Sequence, residues 1–216
     1  MKSGVVQLSA NLIEKDLDML SEQEIGEILT AGRSAGLKLH VFKNKHDDLP
    51  RVKRVLGFLK SVEMKNLFDV GSGRGVFIWP CLNAFPHIDI LGVDILPHRI
   101  DLLETVKLGG VSNLHAIEAD VCNLALPDHS YDIVTMLEVL EHIQDVTTTV
   151  QAAVQIARKY IVVTAPSKPD NNPEHIQFLT KEVLTDYFNQ AGCTRLHFDS
   201  VPGHLILVVA LEKHFD

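Results

Sequence analysis

The residue types that could do chemistry gather at four points of this chain. Residues 69–75 read Asp-Val-Gly-Ser-Gly-Arg-Gly, three glycines at alternate positions behind an acid. Glycine lacks a Cβ, so the backbone of such a loop can approach a ligand closely. A dinucleotide fingerprint would read G-x-G-x-x-G, but counted from Gly71 and Gly73 the sixth position is Val76, and Gly75 comes one place early. Asp69 also argues against a pyrophosphate, which it would repel, and for a cationic amino group, which it could receive. A nucleotide with a zwitterionic amino-acid tail fits the loop better than NAD does. Two more carboxylates, Asp94 and Asp120, each follow an apolar run. Alone, Asp94 reads equally well as a helix N-cap and Asp120 as a turn residue. Together with the glycine loop they end three successive apolar runs, which points to one shared pocket.

The fourth point is "LEVLEHIQD". If a helical turn starts near Leu137, then Glu138, Glu141 and His142 stand at i, i+3 and i+4 and share one face. Two carboxylates and an imidazole facing one point can bind a hard divalent cation. His175, in "NPEHIQFLTKE", is a fourth candidate ligand. The pattern admits three readings: a metal site, His142 or His175 as a general base, or a structural role for all four. The remaining polar and aromatic candidates are weaker. His40, His46 and His204 read as surface residues, although His204 follows a Pro202-Gly203 turn that could reach an active-site mouth. Phe77 and Trp79 read as core, and Cys122 as a small apolar filler.

The elements that must position these residues follow from the periodicity. With 216 residues, 46% of them hydrophobic, the chain has the apolar content of one ordinary globular unit. Residues 1–65 read as a helical cap or lead-in: apolar positions recur at helical spacing over 10–32, Gly32 and Gly36 interrupt them, and a further helix follows Pro50. From residue 66 to 216, strands and helices alternate through "NLFDV", "IDILGVD", "LHAIEAD", "YDIVTML" and "KYIVVTAP", which predicts a mostly parallel sheet with helices on both faces. The tail, "RLHFDSVPGHLILVVALE", is two strands too close together for a crossover helix, so they should pair antiparallel.

In such a fold the ligand sits at the carboxyl ends of the strands, where the strand order reverses. The net charge of −8 argues against general nucleic-acid affinity, yet Lys38 to Lys65 is locally basic. That run is either a solvated helix face or a rim for an anionic substrate. Cys81, Cys122 and Cys193 form no C-x-x-C pair, and an odd count suits a reducing compartment, hence the cytoplasm. The first twenty residues carry early acids and no long apolar run, so neither a signal peptide nor a membrane partner is expected.

Residues 66–165 resemble a class I S-adenosylmethionine-dependent methyltransferase. The resemblance rests on "LFDVGSGRG", "ILGVDI", "IEADVCNLAL" and "DIVTMLEVLEHI" in that order, and the C-terminal hairpin extends it to about 150 residues. It implies a Rossmann-like sheet and S-adenosyl-L-methionine as cofactor. Asp69 would lie by the methionine amino group, with Gly71, Ser72 and Gly73 passing close to the cofactor. Asp94 would accept from both ribose hydroxyls, and Ile95 would lie against the adenine. Asp120 would take the adenine amino group, the Val121 amide would face the ring, and Glu138 would line the pocket. The set Glu138, Glu141, His142 and His175 resembles the magnesium or manganese site of small-RNA 3′-terminal 2′-O-methyltransferases. Its E-x-x-E-H part also resembles the catechol O-methyltransferases of ubiquinone synthesis. The RNA enzymes carry a longer segment before the final His, which "APSKPDNNPEH" lacks. The resemblance thus implies methyl transfer to a small-molecule oxygen or nitrogen. The alternatives are RNA 3′-terminal 2′-O-methylation and a non-catalytic cofactor-binding module.

Overall fold

The computed structural model describes residues 20–34 and 49–211. Strands β1 (Asn66–Val70), β2 (Asp89–Asp94) and β4 (Tyr131–Leu137) are buried almost end to end, as strands covered on both faces must be. With β3 (Leu114–Glu118), β5 (Ala157–Pro166), β6 (Arg195–Val201) and β7 (His204–Ala210) they make one seven-stranded sheet in the order β3-β2-β1-β4-β5-β7-β6. The first five strands run parallel, and β7 pairs antiparallel with both β5 and β6. The expected C-terminal hairpin is therefore present, turning at Gly203 with a φ of +85°.

Side-chain alternation along each strand splits the core in two. Leu67, Ile90, Ile133 and Val162 face helices α2 (Pro50–Leu59), α3 (Ile78–Ala84) and α4 (Pro97–Leu108). Phe68, Leu91, Val134 and Val163 face α5 (Val146–Ile156) and α6 (Lys181–Gln190). Pro50 and Pro97 open their helices, where the missing N–H would have had no partner in any case. Thr180 caps α6 by accepting from the Val183 N–H.

Two local expectations differ from the structure. Gly32 does not interrupt the N-terminal helix but lies buried inside α1 (Glu22–Ser34). The helical turn expected from Leu137 is replaced by a left-handed residue, Glu138 at φ +59°, followed by a single 3-10 turn over Leu140–His142. One backbone reversal at Glu138 is enough to break the i, i+3, i+4 spacing. The first part of the 10–32 pattern, His40, His46 and the lysines at 38, 43 and 45 lie outside the described residues.

Candidate active site

The order reversal between β1 and β4 leaves a crevice at the carboxyl ends of the strands, and a cavity of about 840 Å³ opens there. Every residue expected to touch the cofactor lines it, and so does His142, whereas Glu141 and His175 lie outside its lining.

The glycine loop is tied to the end of β2, with the N–H groups of Gly71 and Ser72 both donating to Val93 O at 2.8 and 3.0 Å. Gly71, Gly73 and Gly75 all have positive φ. A Cβ on Gly73 would meet nothing nearer than Gly71 O at 3.8 Å, so this position opens into the cavity. A Cβ on Gly75 would fall 2.2 Å from the Trp79 ring. The early third glycine thus makes room for Trp79, whose Nε1 donates to Arg74 O at 2.8 Å.

Asp94 is buried and already engaged: its Oδ2 accepts from Gly73 N at 2.9 Å and Arg99 at 3.2 Å, and its Oδ1 from Leu96 N at 3.0 Å. It ties the glycine loop to the start of α4 as well as facing the cavity. Ile95 beside it is 66% exposed, an apolar side chain left uncovered at the cavity edge. Asp120 caps the short turn Val121–Asn123 through Cys122 N at 3.0 Å and Asn123 Nδ2 at 3.1 Å. Asp120 is thus a turn cap that also lines the pocket, whereas α4 starts at Leu96 with no side-chain cap, so Asp94 is not its N-cap.

Asp69 is buried beneath the loop. The Thr135 hydroxyl donates to its Oδ1 at 2.5 Å, and burial pushes its carboxyl up to about 7. Glu138 follows β4 directly, its Oε1 accepting from Thr164 Oγ1 at 2.8 Å and its Oε2 3.0 Å from His204 Nδ1. Sequence reading passed over Thr135 and Thr164 and took His204 for a surface residue, on a turn able to reach the active-site mouth. The available signal was a hydroxyl inside each of two otherwise apolar strand runs, "DIVTML" and "IVVTAP".

A second cluster shares His142 with the cavity wall. Glu141, His142 and His175 each offer a ligating atom, and these lie within 4.8 Å of one another. Glu138, turned toward Thr164 and His204, stands apart from them. Glu141 is 1% exposed and neither of its carboxyl oxygens has a hydrogen-bond partner among the described residues. Burial pushes its carboxyl up to about 8. His142 Nδ1 donates to Glu174 O at 2.9 Å, and His175 Nδ1 stands 2.9 Å from Asp170 Oδ1. Each ring therefore keeps its Nε2 lone pair available. Of the basic run, Arg51 reaches the cavity wall, half-buried.

No described helix is long and apolar enough to cross a membrane. Residues 68–159 match a family model described as a methyltransferase domain. The chain is 29% identical over 118 residues to the ubiquinone biosynthesis O-methyltransferase of Saccharophagus degradans, covering 54% of this chain and 49% of that protein. It thus spans about half the length of this curated relative. A SAM-dependent methyltransferase from Aquifex aeolicus superposes with a TM-score of 0.66 at 15% identity, over 78% of this chain and 93% of that one. The N-terminal domain of EvdMO1, solved with SAH bound, superposes with a TM-score of 0.57 at 17% identity, over 74% of this chain and 79% of that one. Those two are likenesses of fold. The reversed strand order, the antiparallel β7 and the glycine loop at the cavity floor agree with the methyltransferase-domain match, which runs from β1 to the start of β5, and these findings together support a class I S-adenosylmethionine-dependent methyltransferase.

Proposed function

We propose that the chain methylates a hydroxyl oxygen of a small-molecule acceptor, with S-adenosyl-L-methionine as donor and a divalent cation, magnesium or manganese, held by Glu141, His142 and His175. The observation that carries this reading is Glu141: a buried carboxyl without a partner, beside two imidazoles whose Nε2 atoms are available. Two imidazole nitrogens and a carboxylate oxygen suit manganese better than magnesium, which favours an all-oxygen set. The O-methyltransferase relative favours oxygen over nitrogen as the atom methylated.

S-adenosylmethionine, when bound, supplies a methyl on a sulfonium, open to attack along the line of the breaking bond. On the protein side, Asp94 accepts from the ribose hydroxyls, Ile95 and the Val121 amide flank the adenine, and Asp120 receives its amino group. Asp69 receives the methionine ammonium below the glycine loop, where Gly73 leaves space for the tail. Glu138, held by Thr164, lines the cavity. The divalent cation, when bound, lowers the pKa of a hydroxyl that it holds. Positioning the acceptor oxygen against the methyl then falls to the cavity walls, and such orientation is worth several kcal/mol of barrier. Arg51, which lines the cavity and acts electrostatically on Glu141, suits an acceptor with an anionic group.

The test is a calorimetric titration of manganese into metal-stripped protein saturated with S-adenosylhomocysteine. One-to-one binding, abolished in Glu141→Ala, is expected. Absence of binding to the unaltered chain would overturn the cation and leave His142 or His175 as proton acceptor in a metal-free transfer.

A further inference from the structure

The three cation-site residues come from two segments that are neither helix nor strand over most of their length. Glu141 and His142 lie in the 3-10 turn after β4, and His175 lies in the connection between β5 and α6. Three ligand atoms within 4.8 Å of one another require these segments to be held in fixed register. Gln177 supplies the most direct tie. Its Nε2 donates to Leu140 O at 3.0 Å and to Ile143 O at 2.6 Å, bracketing the turn that carries Glu141 and His142. A primary amide has two N–H donors, and both are used here on carbonyls three residues apart. The backbone adds a parallel tie, Ile176 N donating to Glu141 O at 2.9 Å. Asp170 acts on the ring itself: its carboxylate accepts a hydrogen bond from the Nδ1–H of His175, which fixes the tautomer and the direction of Nε2.

We propose that Gln177 and Asp170 are positioning residues of the cation site, Gln177 setting the separation of the two ligand-bearing segments and Asp170 the orientation of His175. Neither is one of the three clustered residues, so both act through Glu141, His142 and His175. The proposal rests on the reading of a divalent cation at this cluster. Partners of this kind are worth about 10–100-fold in metal affinity.

Gln177→Leu removes both donors at similar volume, and Asp170→Asn removes the charge while keeping an acceptor oxygen. Manganese affinity of the full chain saturated with S-adenosylhomocysteine is measured by calorimetry and by the electron paramagnetic resonance signal of free Mn²⁺, alongside the affinity for S-adenosylhomocysteine alone. Both variants are expected to bind manganese about 10–100-fold more weakly, with S-adenosylhomocysteine affinity within about twofold of the unaltered chain. Unchanged manganese affinity in variants of a chain that itself binds the ion overturns the positioning roles and spares the cation reading. A parallel loss of manganese and S-adenosylhomocysteine binding also overturns them, because it marks a general loosening of the fold. If the unaltered chain takes no manganese, the cation reading falls, and this inference with it.

Discussion

Gly73 and Gly75 share a positive φ but are glycine for different reasons, and substitution separates the two. At Gly75 a methyl would enter the Trp79 ring, which is 2% exposed and cannot move aside without opening the core. Gly75→Ala is expected to lose about 2–4 kcal/mol in urea denaturation, combining overpacking with left-handed strain. At Gly73 the space is open, so Gly73→Ala should cost only about 1–2 kcal/mol of backbone strain while sharply weakening S-adenosylhomocysteine in calorimetry. Equal stability losses at the two positions would show that Trp79 does not dictate the third glycine. The motif spacing identified the loop, but only packing distinguishes the glycine that faces the cavity from the one that accommodates a ring.

At the scale of elements, the site depends on how helices and loops anchor the strand ends. Helix α6 carries no residue of the cavity, yet its Leu184 and Phe188 are fully buried in the cluster that includes Met136, Val163 and Leu207. It therefore secures the far end of the loop bearing His175 and Gln177. Phe188→Ala should cost about 3–5 kcal/mol by urea denaturation, the usual range for a buried phenylalanine. A loss under about 1 kcal/mol would show that α6 is peripheral. The periodicity of "LTKEVLTDYFNQAGC" made this helix legible, because an amphipathic stripe is a local signal. The turn at Glu138 was not legible. A glutamate at φ +59° is held by Thr164 on the neighbouring strand, a contact that no spacing along the chain reports.

For the whole molecule, Asp69, buried at the end of β1, couples folding to pH. Asp69 is raised from 3.8 to about 7 by burial, so the folded state holds a proton that the unfolded state releases. The stability this carboxyl allows is fully present below its unfolded pKa and is lost as pH rises through about 7. Each pKa unit corresponds to about 1.4 kcal/mol, so several kcal/mol are at stake. The ligand-free chain is expected to lose stability between about pH 4 and 7 in urea denaturation, and Asp69→Asn to lose less. Equal pH dependence in both chains would place the titration elsewhere. Local order along the chain determined the alternation of strands and helices, the antiparallel tail and the glycine-acid pocket. Each of these is written in nearest-neighbour spacing: period two, period 3.6, or a glycine required by its own φ. Tertiary structure decided which acids act together. It withdrew Glu138 from the expected foursome, buried Glu141 without a partner, brought His175 to His142 from 33 residues away, and set Gln177 across the turn between them. Burial and long-range pairing depend on the sheet closing, and no stretch of sequence carries that by itself.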